Sequence, residues 1–137
     1  MSNFNDDALL KGQHALQKID DLMSKADNVV HRWPRLHRNI YGERLFSLLA
    51  DMEELCVAAA KKYHKKTTLQ ELDIKNAQVR IHIRRIAKTT FTDKRGEKRG
   101  LITPGQHEEW VLLNIEIGRI IGGWLKQQAE RKDDVKA

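Results

Sequence analysis

Residues 103–128 read TPGQHEEWVLLNIEIGRIIGGWLKQQ. Within them Trp110, Leu113, Ile117, Ile120 and Trp124 recur at spacings of three and four, so they form one stripe along a helix. A stripe of that kind has to be buried, which makes this a core helix. Val111, Leu112 and Ile115 lie on the opposite side with Gly118, Gly122 and Gly123, whose missing side chains let another backbone approach closely. A helix that is apolar on two faces is covered on both, and in a short chain this calls for a partner subunit.

Upstream, the same periodicity marks three more helices. The first spans about residues 6–32, with Leu9, Leu16, Ile19, Met23, Ala26 and Val30 in a heptad-like rhythm. Trp33-Pro34 ends it, because a residue before proline is pushed out of helical geometry. After a connector over about residues 34–39, a second helix covers 40–64 and turns Leu45, Leu48, Leu49, Met52, Leu55, Cys56 and Ala59 inward. Lys61, Lys62, Lys65 and Lys66 close it, at the end where cations complement the helix dipole. Thr68 followed three residues later by Glu71 is a capping-box pattern and opens a third helix over 69–90. Its core stripe is Leu72, Val79, Ile83 and Ile86, while Ile74, Ala77 and Ile81 lie nearly opposite. VRIHI (79–83) alternates like a strand, but three-four spacing on both sides of it favours the helix.

From about 91 to 102 the chain is a glycine-punctuated basic loop. Thr103, Pro104 and Gln106 then supply an N-cap, a proline at the first helical position and a second capping box. Four amphipathic helices with short connectors predict an all-α, antiparallel up-down-up-down four-helix bundle over 1–130, with a polar tail at 131–137 into which the last helix frays. The second apolar faces, Ile74 and Ile81 on helix three and Val111, Leu112 and Ile115 on helix four, form the expected homo-oligomer interface.

The 137 residues make one domain, large enough to bury roughly two-thirds of its unfolded surface without disulfide or metal. Cys56 is the only cysteine, which excludes an intramolecular disulfide and suits a reducing cytoplasm. The N-terminus, MSNFNDD, is acidic and unlike a secretory leader, and no apolar run approaches the ~18 residues of a bilayer span. Charge is concentrated. Between Arg80 and Gly100 there are eight cations and two anions, an excess equal to the +6 of the whole chain, so the remainder is balanced. That concentration points to a polyanion, nucleic acid before others, bound through its phosphates.

In an up-down bundle the first and third connectors share one end. Arg32, Arg35, His37, Arg38 and Arg44 are thereby expected beside Lys94, Arg95, Lys98 and Arg99. Arg80, Arg84 and Lys88 lead toward that end four residues apart, drifting about 40° per step. With Arg85 they form a candidate phosphate track; the alternative is a solvated helix face with a disordered loop. The neutral remainder of the chain favours the track, since no general need for solubility is being met.

Other chemistries find less support. Trp110 and Trp124 lie on the core stripe and read as packing rather than base stacking, while Trp33 at a helix end stays open between the two. Cys56 on an apolar stripe reads as an inert thiol. His82, between arginines, is expected to meet phosphate or solvent rather than metal. No Glu has a His three residues later, as a di-iron bundle needs. RGEKRG (95–100) lacks the strand before and the immediate helix after that a phosphate-cradling loop requires. No nucleophile with a positioned base is visible, so the expectation is a non-catalytic binding module without metal or cofactor.

Trp33-Pro34-Arg35, Val79-Arg80 with Ile83-Arg84 and Ile86-Ala87, and above all Thr103-Pro104, Gln106, residues 117–122 (IGRIIG) and Trp124, resemble a known pattern. The chain is similar, from helix one to Lys126, to the accessory variability determinant proteins of diversity-generating retroelements. These sit within a wider superfamily of bundles encoded in intervening sequences of ribosomal RNA genes. The resemblance implies a homopentameric basic barrel that binds RNA and DNA and assists the element's reverse transcriptase in mutagenic retrohoming. Arg80 and Arg84 match the family's basic surface. His82 where relatives tend to be aromatic, the additional Arg85 and the longer cationic loop are departures. Two functions follow: an accessory subunit of a reverse transcriptase, favoured by the +6 segment and residues 118–124 (GRIIGGW), or a structural bundle with no polymerase partner.

Overall fold

In a computed structural model of the chain, the backbone is described for residues 3–136 and side chains for residues 10–130. Four long helices dominate: α1 (Asn3–Val30), α3 (Glu43–Lys61), α4 (Lys66–Lys88) and α5 (Pro104–Lys136). Between α1 and α3 lie a single helical turn, α2 (Arg35–His37), and a wider π turn (Arg38–Gly42); between α4 and α5 stands a hairpin of β1 (Thr90–Thr92) and β2 (Lys98–Gly100).

Each long helix packs on two others, α1 on α3 and α5, and α4 on the same two. Neighbours run antiparallel. Lys18 pairs with Glu116 at 3.1 Å and Lys25 with Glu109 at 3.1 Å, so the numbering of α5 falls as that of α1 rises. Asp51 of α3 pairs with Lys75 of α4 (3.3 Å), and Tyr41 in the turn before α3 meets His82 further along α4 (2.9 Å), so the crossing order is the same. The fold is the expected four-helix bundle.

The core is built from the predicted stripes. Ile19, Ala26 and Val30 of α1 are buried, as are Leu45, Leu48, Leu49, Met52, Cys56 and Ala59 of α3 and Leu72, Val79, Ile83 and Ile86 of α4. Leu16, Met23 and Leu55 are half-buried against it. Leu9 falls outside the described side chains. On α5 one correction is needed: Ile121 is fully buried and Ile120 only partly. Continuing the stripe from Ile117 by four and then three residues reaches Ile121 and Trp124, which holds it over the core.

The connectors depart further from expectation. The stretch expected as an irregular connector is helical, because extended Pro34 (φ −55°, ψ 149°) stands just before a turn that starts at Arg35. In the π turn that follows, the Glu43 N–H reaches the Arg38 carbonyl five residues back. Gly42 ends that turn where α3 crosses α1: a Cβ there would lie 2.7 Å from Val30 Cγ1, so only glycine allows the approach.

At the other end α3 stops at Lys61 and α4 starts at Lys66, so Lys65 and Lys66 belong to the next helix. The Thr68 capping box does not form. Lys65 is the N-cap residue, with its carbonyl accepting from Leu69 N at 2.8 Å, and Thr68 is buried inside the first turn. The Thr68 hydroxyl accepts from Lys62 Nζ at 3.2 Å instead. The cap of α5 does form: Gln106 N donates to Thr103 Oγ1 (3.1 Å) and Thr103 N to Gln106 Oε1 (2.9 Å). The helix then continues to Lys136 rather than giving way to an irregular tail.

Candidate nucleic-acid interface

Trp33, left open between packing and stacking, is buried, and its Nε1 donates to the Leu101 carbonyl at 2.8 Å. This bond ties the first connector to the third. Leu101 N in turn donates to the Thr89 carbonyl at 3.1 Å, and the rings of His37 and Phe91 lie 6.2 Å apart. Arg35 and Arg38, both exposed, therefore share an end of the bundle with the segment carrying Lys94, Arg95, Lys98 and Arg99.

That segment is an ordered hairpin rather than a loop. Its strands pair Thr90 with Gly100, Phe91 with Arg99 and Thr92 with Lys98. Asp93 organises the turn: Oδ1 accepts from Arg95 N and Glu97 N, both at 2.9 Å, and Oδ2 from Arg99 Nε at 2.6 Å. Gly96 completes it at φ 81°, in the left-handed region that a side chain disfavours. The Glu97 amide first, then Arg99 and the Arg95 amide, hold the Asp93 carboxyl below its ordinary range, opposed by slight desolvation. Arg99 is raised by the same contact. Arg99 thus spends much of its charge inside the hairpin, pairing also with Glu97 at 3.7 Å. Lys94, Arg95 and Lys98 are exposed and make no ion pair among the described residues. Sequence periodicity missed this hairpin because its strands are three residues long and polar.

On α4, Arg80, Arg84, Arg85 and Lys88 are all exposed, with Arg80 about 12 Å down the axis from Lys88. They do not form a single file. Arg80 opens onto the groove between α4 and α5, beside Ile115, Gly118 and Arg119, whereas Arg85 opens onto the groove between α3 and α4, beside Arg44. Arg80 is also held. Its Nε donates to Asn114 Oδ1 at 2.7 Å, leaving its terminal nitrogens for a ligand. Asn114 is fully buried and locked to Asn76: its Nδ2 donates to Asn76 O (3.0 Å) and Oδ1 (2.9 Å), while Asn76 Nδ2 donates to Asn114 O (3.1 Å). Neither asparagine was singled out from sequence. Polar residues at core positions of both helices were the available signal.

His82 corrects its expectation. It is buried, 9 % exposed, and turned inward, with Nε2 2.9 Å from the Tyr41 carbonyl. A carbonyl only accepts, so Nε2 carries the proton. Burial lowers its proton affinity most, the Tyr41 bond opposes this, and Arg44 and Arg85 lower it further. The Cys56 thiol is buried and pushed up to about 12 by desolvation and then by Glu53, which makes it unreactive. Trp110 and Trp124 are packed in the core as expected.

The candidate oligomer residues do not form one continuous face. Ile74 and Ile81 are exposed beside the α3–α4 groove, and Ile115 lines the α4–α5 groove half-buried with Val111. Leu112 is exposed between Glu109 and Glu116, which reach α1. Among the described residues no helix is long and apolar enough to cross a membrane.

With this arrangement in view, the sequence matches the bAvd-like family over residues 15–128. The chain belongs to that family. The match begins within α1, ends within α5 and takes in α3, α4 and the clasped basic end. An Avd-like family points to an accessory, non-catalytic protein of a retroelement. A comparison with curated proteins found no match.

Proposed function

We propose that this bAvd-like chain is a non-catalytic, nucleic-acid-binding accessory subunit of a diversity-generating retroelement reverse transcriptase. It holds template RNA and polymerase together for mutagenic complementary-DNA synthesis. The observation carrying this reading is the joining of two basic connectors at one end by Trp33 and Leu101, in a chain of an Avd-like family. Arg35, Arg38, Lys88, Lys94, Arg95 and Lys98 supply exposed cations there, Arg99 adds what its internal pairs leave, and Arg80, Arg84 and Arg85 extend the surface along α4. Guanidinium and ammonium groups in this density neutralise phosphates without reading sequence, so RNA and DNA both bind.

A homo-oligomer, a pentamer by family resemblance, would multiply such individually weak contacts. Ile74, Ile81, Val111, Leu112 and Ile115 are its proposed contacts. The protein itself moves no bond; raising the local concentration of template beside the polymerase affects assembly and initiation rather than nucleotide addition. The test is template-primed synthesis by the cognate polymerase on the element's RNA, with and without this protein. Co-purification and a changed product support the reading. A polymerase that neither co-purifies nor responds overturns it in favour of a structural bundle. Arg80→Glu with Arg84→Glu should keep the polymerase contact and lose synthesis.

A further inference from the structure

Close to the base of the hairpin, two arginines of neighbouring helices line one cavity. Arg44 of α3 and Arg85 of α4 line an open space of ≈ 180 Å³ with Leu48, Gln78, Ile81 and His82. This is several times the roughly 30 Å³ share of one water molecule, enough for a tetrahedral oxyanion. No carboxylate lines it, and neither arginine forms an ion pair among the described residues. Two converging guanidinium groups without a counter-charge repel each other, and an anion between them removes that repulsion.

The remaining walls suit the same ligand. Gln78, whose amide carries two N–H donors, lines the space from α4. His82 closes the inner side and is fixed through Nε2 to the Tyr41 carbonyl in the π turn, so the wall is rigid.

We infer that the Arg44–Arg85 cavity is a phosphate site, in which the two guanidinium groups clamp one phosphate from two helices and Gln78 adds a neutral donor. It is separate from the α4–α5 groove that Arg80 faces, and because Ile81 on its rim is a proposed oligomer contact, the phosphate is held at the margin of that interface. Where the phosphate belongs to a strand, the site extends the nucleic-acid reading above; where it is free, the site stands without that reading.

His82 reports on occupancy. The charged groups facing it are Arg44, across the groove, and Arg85, on its own helix, with Tyr41 packed on it and His37 stacked beyond Tyr41 at 6.2 Å. A bound phosphate neutralises the field of both arginines, so the imidazole takes up its proton at higher pH. Nuclear magnetic resonance titration of the histidine rings tests this with two probes, inorganic phosphate and a ten-residue oligouridylate, against chloride at equal ionic strength. Inorganic phosphate should raise the His82 midpoint by about half a pH unit or more, with exposed His14 and His64 unmoved. Arg44→Gln and Arg85→Gln should each remove that phosphate-dependent rise and weaken phosphate binding about tenfold. If oligouridylate also moves His82 and the two variants weaken its binding, the ligand is a strand phosphate; movement by inorganic phosphate alone makes it a free one. Oligouridylate binding with His82 unmoved by either probe overturns the site and leaves the nucleic-acid reading standing. A rise at His82 without oligouridylate binding keeps the site and overturns that reading. Equal shifts at every histidine also overturn the site.

Discussion

Trp33 Nε1 donates to the Leu101 carbonyl at 2.8 Å, joining residues 68 positions apart in a contact that is buried. Through this bond the helical turn at Arg35 and the hairpin at residues 90–100 become one surface. Trp33→Phe keeps most of the ring's packing and leaves the carbonyl without a donor. Stability should fall by about 1–3 kcal/mol in urea unfolding, and faster amide exchange should concentrate around Leu101 and Thr89.

The hairpin should be sensitive to acid. The Asp93 carboxyl is held below its ordinary range, so its contribution is present above the unfolded value of about pH 3.9 and is lost as pH falls through the lower folded value. Amide protection at Arg95 and Glu97 should disappear over that window while the helices persist. Asp93→Asn, which keeps an acceptor but loses the charge for Arg99, should weaken this protection at neutral pH.

Asn114 serves the core and a surface arginine at once. Asn114→Ala strips Asn76 of its side-chain partner and Arg80 Nε of its acceptor, which should lower stability by about 2–3 kcal/mol. Asn76→Ala in the same background should cost less than it does alone. A double-mutant cycle checks this, and simple additivity would contradict a coupled network.

Each phosphate contact contributes about 0.7 to the slope of log affinity against log salt on single strands. Arg80→Gln with Arg84→Gln should therefore flatten the slope by about 1.4. A disordered loop would give less per residue from Lys94, Arg95 and Lys98, because ordering it on binding costs entropy. The hairpin removes that cost, so replacing these three by Gln should flatten the slope by about 2 in the same filter-binding titration.

Ile81 is 54 % exposed on a single chain, next to Arg44 and Arg85. Ile81→Lys should dissociate an oligomer through this face while leaving helicity intact, as read by light scattering and circular dichroism. A charge at half-buried Ile115 should lower folding stability as well.

The helices of this protein were legible in its sequence because their signals are local. Apolar residues three and four apart lie on one face whatever surrounds them, so the stripes through Leu45 to Ala59 and Trp110 to Trp124 marked the core directly. Thr103 and Gln106 satisfy one another within a single turn, and that cap formed as read. Thr68 and Glu71 carry the same pattern and did not cap, because the helix starts at Lys66 and Thr68 is buried inside its first turn, with its hydroxyl bonded to Lys62. The basic end was visible as a concentration of charge, but its division among grooves was not. Whether Arg80 faces α5 and Arg85 faces α3 depends on how α4 is rotated between its neighbours, a choice made by packing. His82 turning to the Tyr41 carbonyl, Asn114 locking Asn76 and Trp33 reaching Leu101 join residues 41, 38 and 68 positions apart. Such pairs have no sequence period; a buried polar group takes the partner that the assembled bundle brings within reach, and only the tertiary structure decides which one that is.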